Sequence, residues 1–325
     1  MGLNFPAQIA DNVRKVLLDD IYRANYNSSG EIFWVFEDSD QDFQKMSNKH
    51  PKNVFTTYQA ALNAVTSNRN DVIFVNGHSS HIAAAIITNS KNRVHTIGMD
   101  GVGGRVNSQS AKITMATAVA TDIAVISNTG TRNTYENLKI VQTGTNVAQT
   151  SAFIDTGEGT VVKNCEMEVN TILTTATQGL LFKGDTCEYI NCQIGNSTVY
   201  HTAANQAPLV IQTPARYSYF IDCRIINYSS QTSASCIDCP DANSVIGWIM
   251  FENCKLISAN LGDGATAGGT MAEAVTSVVT SGYLYFDSRC NSFNAAIFAE
   301  ADTSILLAAA DGGTATLGGV AVAAA

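Results

Sequence analysis

Several short stretches of this sequence carry residue types that could do chemistry, and each is incomplete. Asp38-Ser-Asp-Gln-Asp42 opens like a calcium loop, which needs a Gly turn at its sixth position and a bidentate Glu at its twelfth. Phe43 and Lys49 stand there instead, so the stretch reads as a solvated acidic turn. His78-Ser-Ser-His81 could offer two imidazoles to a metal ion, but a zinc site needs a third protein ligand. Cys236-Ile-Asp-Cys239 is a lone CxxC with no second pair at zinc-finger distance. Gly101-Val-Gly-Gly104 lacks the third glycine of a dinucleotide turn and opens no helix, so it reads as a tight corner. Asp19-Asp20, the one Asp-Asp pair, falls in a segment with helical patterning. These residues assign no catalytic, cofactor or metal site.

The elements that would position such groups announce themselves by repetition. Tyr135-Glu-Asn-Leu-Lys-Ile140, Val162-Lys-Asn-Cys-Glu-Met167, Tyr189-Ile-Asn-Cys-Gln-Ile194, Phe220-Ile-Asp-Cys-Arg-Ile225 and Phe251-Glu-Asn-Cys-Lys-Leu256 are one pattern, with a decayed copy at Phe286-Asp-Ser-Arg289. The third position falls at Asn137, Asn164, Asn191, Asp222, Asn253 and Ser288, spaced by 27, 27, 31, 31 and 35 residues. Such a period marks one supersecondary unit stacked on copies of itself. Asn and Asp tolerate the left-handed backbone of a sharp corner. The unit is therefore strand, corner, strand, with Asn137, Asn164, Asn191, Asp222 and Asn253 as a corner ladder. The next slot, Leu138, Cys165, Cys192, Cys223 and Cys254, is an apolar core ladder. The expected fold is all-β, a parallel β-helix of about nine coils between about residues 71 and 300.

Gross composition agrees. The 325 residues include only 14% charged side chains, and the net charge of −9 opposes the phosphate neutralisation behind nucleic-acid binding. No apolar run reaches the length of a membrane-spanning helix, and no secretory signal is recognisable. Four of the eight cysteines share the core slot, so buried reduced thiols and intracellular assembly are expected.

Before the coils, residues 7–25 place Ile9, Val13, Val16, Leu17 and Ile21 on one helical face. Glu31–Phe36 reads as an aromatic strand, and an acidic loop runs to about residue 53. Residues 54–70 hold a helix in which Tyr58, Ala61, Leu62 and Val65 align, capped by Thr56 or Thr57, which covers the open end of the solenoid. A second recurrent strand begins at Ala124, Ala152, Leu180 and Leu209, and insertions gather on the far side at 196–207, 228–243 and 258–275. Four segments follow: an arm at 1–53, a capping helix at 54–70, the β-helix at 71–300 and an apolar tail at 301–325.

Outside the corner, Lys139, Glu166, Gln193, Arg224 and Lys255 share one slot and Glu136, Lys163, Ile190, Ile221 and Glu252 another. Mixed signs read as a solvated ion-pair ladder. Ile190 and Ile221 are apolar on an outward slot and are expected at a subunit contact, as are Ile305, Leu306 and Leu307 of the tail.

The order of aromatic strand, acidic loop, Thr56–Val65 helix, Asp71–Gly77 strand and Asn-cornered coils resembles the right-handed parallel β-helix proteins of the pectate-lyase-like superfold, over about residues 31–295. It looks in particular like the small β-helical virion proteins of tailed bacteriophages. Polygalacturonase-like members carry Asn-Thr-Asp, Asp-Asp, Gly-His-Gly and Arg-x-Lys on successive coils, and this chain lacks the first, third and fourth. The resemblance thus implies a structural protein without enzymatic activity: a capsid decoration protein, homotrimeric, bound to the major capsid protein through its termini. It would lie in the virion after assembly in the host cytoplasm, with no cofactor, nucleic acid or membrane partner. The alternative is a tail-associated receptor-binding or polysaccharide-degrading β-helix.

Overall fold

Each complete coil contributes three short strands, and each strand pairs in parallel with its counterparts in the neighbouring coils. The computed structural model describes residues 30–37, 43–50, 52–78, 80–99, 111–115, 123–170, 175–259, 271–299, 305–307, 316–317 and 320–321. Within these, the first sheet has eleven strands, in the order Val54–Phe55, Ile32–Val35, Asp71–Val75, Val94–Gly98, Thr134–Glu136, Val161–Lys163, Glu188–Ile190, Ser218–Ile221, Gly247–Glu252, Gly282–Phe286 and Ile305–Leu307. The second and third sheets have eight each, from Ser80–Ala83 to Asn291–Phe293 and from Ile87–Asn89 to Ala295–Ala299. The protein is a right-handed parallel β-helix. Eight complete coils are present among the described residues, one fewer than the reading of the repeat gave, and Ile305–Leu307 opens a ninth.

Alternation sorts the side chains. The first sheet turns Tyr189, Phe220, Phe251 and Phe286 inward as a stack with ring centroids 4.8, 4.9 and 4.5 Å apart. The second contributes Ile113, Ile140, Met167, Ile194, Ile225 and Leu256, and the third Ile126, Phe153, Leu180, Leu209 and Ile237, all buried. Register in the third sheet aligns Ile126, Phe153, Leu180 and Leu209, so the recurrent strand had been set two residues early at Ala124 and one early at Ala152. The insertion placed at 228–243 likewise contains a strand of that sheet, Ile237–Cys239.

At the N-terminal end, Thr57 caps the helix Tyr58–Ala64 by accepting a hydrogen bond from the Ala60 amide at 3.2 Å. Tyr58, Ala61 and Leu62 face the core, so the helix plugs the interior of the first coil. A second helix, Phe43–Lys49, occupies the stretch read as acidic loop. Ile32–Val35 pairs with Asp71–Val75, so the boundary drawn at residue 53 runs through a sheet. The buried Asp71 carboxylate ties these parts together. It accepts from Arg69 at 2.6 and 2.8 Å, from the Thr66 amide at 2.7 Å and from the Glu31 amide at 2.8 Å.

Candidate functional site

The corner residues Asn137, Asn164, Asn191, Asp222 and Asn253 all adopt positive φ, between 50° and 57°. Their side chains link coil to coil: Asn164 donates to Asn137 at 3.2 Å, Asn191 to Asn164 at 2.7 Å and Asn253 to Asp222 at 2.6 Å. The sense of donation runs from each coil to the one before it. Asp222 has no amide hydrogen to offer Asn191, so the ladder is interrupted there. Asp222→Asn supplies the missing donor and is expected to raise stability by about 0.5–1 kcal/mol, read as a higher urea midpoint at constant slope.

Leu138, Cys165, Cys192, Cys223 and Cys254 form a buried column beside the corners, and all eight thiols are free. The column continues to Cys290, paired in register with Cys254, which corrects the decayed copy aligned on Ser288. One residue is inserted in this last corner. The Asp287 carboxylate accepts the Asn253 amide at 2.9 Å, where earlier corners use a backbone carbonyl. Each thiol of the column reaches carbonyls; that of Cys223 lies 3.3 Å from Tyr189 O and 3.4 Å from Ile221 O. Cys223→Ser is therefore expected to cost no more than about 1 kcal/mol, because the hydroxyl inherits an acceptor. Cys223→Leu overfills the column and should cost about 1–3 kcal/mol in the same urea experiment.

The remaining sequence candidates are dispersed. His81 is buried with Nε2 2.7 Å from the Asn76 carbonyl, and it lines an apolar cavity of about 210 Å³ with Tyr58, Ile82, Ile86 and Ile87. Cys236 and Cys239 are both buried free thiols at the third sheet. Among the described residues no three His, Cys, Asp or Glu side chains converge on one point. Asp38–Asp42, Gly101–Gly104, Asp19-Asp20 and the 7–25 helix lie outside the described residues. Ile305 is 1% exposed and packs in the core, so its placement at an interface is corrected: its strand seals the last coil, pairing with Gly282–Phe286. Leu306 and Leu307 share that strand, and their side chains lie outside the described set.

Two acidic features emerge that the repeat did not reveal. On the outer face of the second sheet, Lys139 lies 3.0 Å from both Glu166 and Glu168, with Gln193 donating to Glu166 at 3.2 Å and Asn170 to Glu168 at 2.8 Å. Glu166 and Glu168 are 4% and 3% exposed, so the ladder read as solvated is buried at these rungs. Burial, then the charge of Glu168, pushes the Glu166 carboxyl above its ordinary range against the pull of Lys139. A carboxyl that holds its proton more tightly when folded contributes stability at low pH, and that contribution fades as pH rises from about 4.5 through the raised value. Glu166→Gln is expected to flatten that decline, measured as urea midpoints from acid to neutral pH. On the outer face of the third sheet, burial and then Asp241 push Asp238 up to about 6. Asp238 is thus a carboxyl able to hold a proton close to neutrality, the property a general acid needs.

The outer face of the first sheet carries a different chemistry. Tyr217, Tyr219, Trp248, Met250, Tyr283 and Tyr285 stand on it beside Ile190 and Ile221, half-buried or exposed. Trp248 meets Tyr219 edge-on at 4.9 Å and Tyr217 at 5.8 Å.

No family model matches this chain, and no curated protein matches it by sequence. By structure it is similar to two forms of pectin methylesterase from Aspergillus niger, with TM-scores of 0.54 and 0.53 at 16% identity, covering 86% of this chain and 84% of theirs. It is also similar to pectate lyase Pel9A, with a TM-score of 0.52 at 14% identity over 81% of this chain and 64% of the lyase. These similarities show the fold alone. They nevertheless correct the expectation that the chain is not an enzyme: its fold is one that these pectin methylesterases and this pectate lyase share, and missing polygalacturonase-like motifs do not speak for methylesterases.

Proposed function

We propose that the chain is a structural protein of a phage virion, of the capsid decoration type, trimeric and joined to the major capsid protein through its terminal segments. The observation that carries this reading is where the coils stop. Ile305–Leu307 seals the first sheet, and only then does a segment begin, 308–325, whose single charged residue is Asp311. A segment of that composition is better buried against a partner than left in water. The rod behind it, stiffened by stacked side-chain ladders, suits a spacer or clamp repeated over a shell. Virion assembly in the host cytoplasm agrees with eight free thiols. Electron microscopy of the parent particle tests the proposal: copies distributed over the shell are expected, and copies confined to the tail would assign the chain to tail attachment instead.

A further inference from the structure

We infer that the outer face of the first sheet, around Trp248, is a binding site for an uncharged oligosaccharide. The face is built on a recurrent corner. Tyr217 holds φ at +49° where Thr186 and Gly159 of the preceding coils are also left-handed, and there it sets an aromatic ring. Its ring lies across Gly247, where a Cβ would come within 2.4 Å of the Tyr217 ring, so no other residue fits there without displacing it. Trp248 meets that ring edge-on and is itself met edge-on by Tyr219, and Tyr283, 52% exposed, extends the shelf to the next coil in register with Trp248. Rigid aromatic rings with polar rims bind at low entropic cost.

Size and charge select the occupant. The shelf spans four strands and about five residues along each, roughly 300 Å² in projection at about 4.8 Å between strands. A stable protein pair needs about 800 Å² per partner, so this face alone does not hold a second copy. A linear chain of a few sugar rings fits it. Two adjoining cations are engaged: Arg216 with Asp185 at 2.7 Å, and Arg289 with Asp287 at 2.6 Å and Glu252 at 3.6 Å. Glu188 and Glu252 border the face, and the chain carries −9 overall, so a polyanion is repelled. An uncharged sugar sets its C–H faces on the rings and its hydroxyls on the tyrosine and carboxylate oxygens.

The test uses the full chain with cellohexaose, β-1,4-mannohexaose, maltohexaose and N-acetylchitohexaose, and with oligogalacturonate as the anionic control, measured by calorimetry. At least one neutral hexasaccharide is expected to bind and the oligogalacturonate is not. Trp248→Ala and the surface change Tyr283→Ser should each weaken binding about ten-fold or more, with melting temperature retained. Shell attachment should survive both substitutions, which separates this site from the proposed virion role. The inference is overturned if none of the four sugars binds at millimolar concentration, if binding ignores both substitutions, or if the face instead supports self-association that Trp248→Ala abolishes in sedimentation.

Discussion

A chain ending at Leu307 is expected to keep the circular dichroism and melting temperature of the whole protein and to lose its attachment to the shell. The apolar 308–325 segment carries the proposed contact, and among the described residues it adds no strand to the three sheets of the coils. Ending the chain five residues earlier, at Asp302, should behave differently. It removes the strand Ile305–Leu307 and with it the buried Ile305 side chain, whose burial contributes about 2–3 kcal/mol. It also leaves the Gly282–Phe286 edge unpaired. The longer deletion should therefore melt earlier as well as detach, and only the shorter one isolates attachment. Paired melting and particle-binding measurements decide the matter. Normal decoration by the chain ending at Leu307 would remove the terminal segment from the proposed function.

What could be read from the sequence was what repeats at fixed offset from a corner. Asn137 to Asn253 announced themselves because only the left-handed corner needs that residue type, and the thiol column followed one position later. Cys290 escaped because the insertion after Phe286 shifts it by one, and a side chain, Asp287, replaces the expected carbonyl. Burial of Glu166 and Glu168 was not legible, since their outward slots depend on what covers the sheet rather than on the strand's own alternation. The aromatic shelf was partly legible. Tyr219-Phe220-Ile221 and Tyr283-Leu284-Tyr285-Phe286 alternate outward and inward residues, but Ile190 and Ile221 on their own carry no sign of the rings beside them. The interface reading of Ile305 erred because three residues of apolar sequence look alike in a docking tail and in a terminal strand.

Asp155→Ala should be among the most destabilising single substitutions in the coils, costing at least about 3 kcal/mol. The carboxylate sits at the inner end of a third-sheet strand, in register with Asn128, which is in turn in register with Asn89, and all three are buried. Asp155 accepts from Tyr189 Oη at 2.7 Å, Asn128 Nδ2 at 2.8 Å, the Gly157 amide at 3.0 Å and Thr160 Oγ1 at 3.2 Å. Removing it strands these donors, and each buried unsatisfied group costs about 1–3 kcal/mol. Asp155→Asn should cost far less, because its carbonyl keeps the Asn128, Gly157 and Thr160 bonds while its amide can donate to Tyr189 Oη. The pH dependence separates the two effects. Burial pushes the Asp155 carboxyl above its ordinary range, and the four hydrogen bonds only partly restore it. The folded state therefore holds this proton more tightly than the unfolded chain, so the stabilisation is complete below about 3.8 and declines as pH rises through the folded value. Urea midpoints taken from acid to neutral pH should fall in the wild type and fall less in Asp155→Asn. Parallel profiles for the two proteins would mean that Asp155 stays ionised in the core, with its four donors outweighing the loss of water.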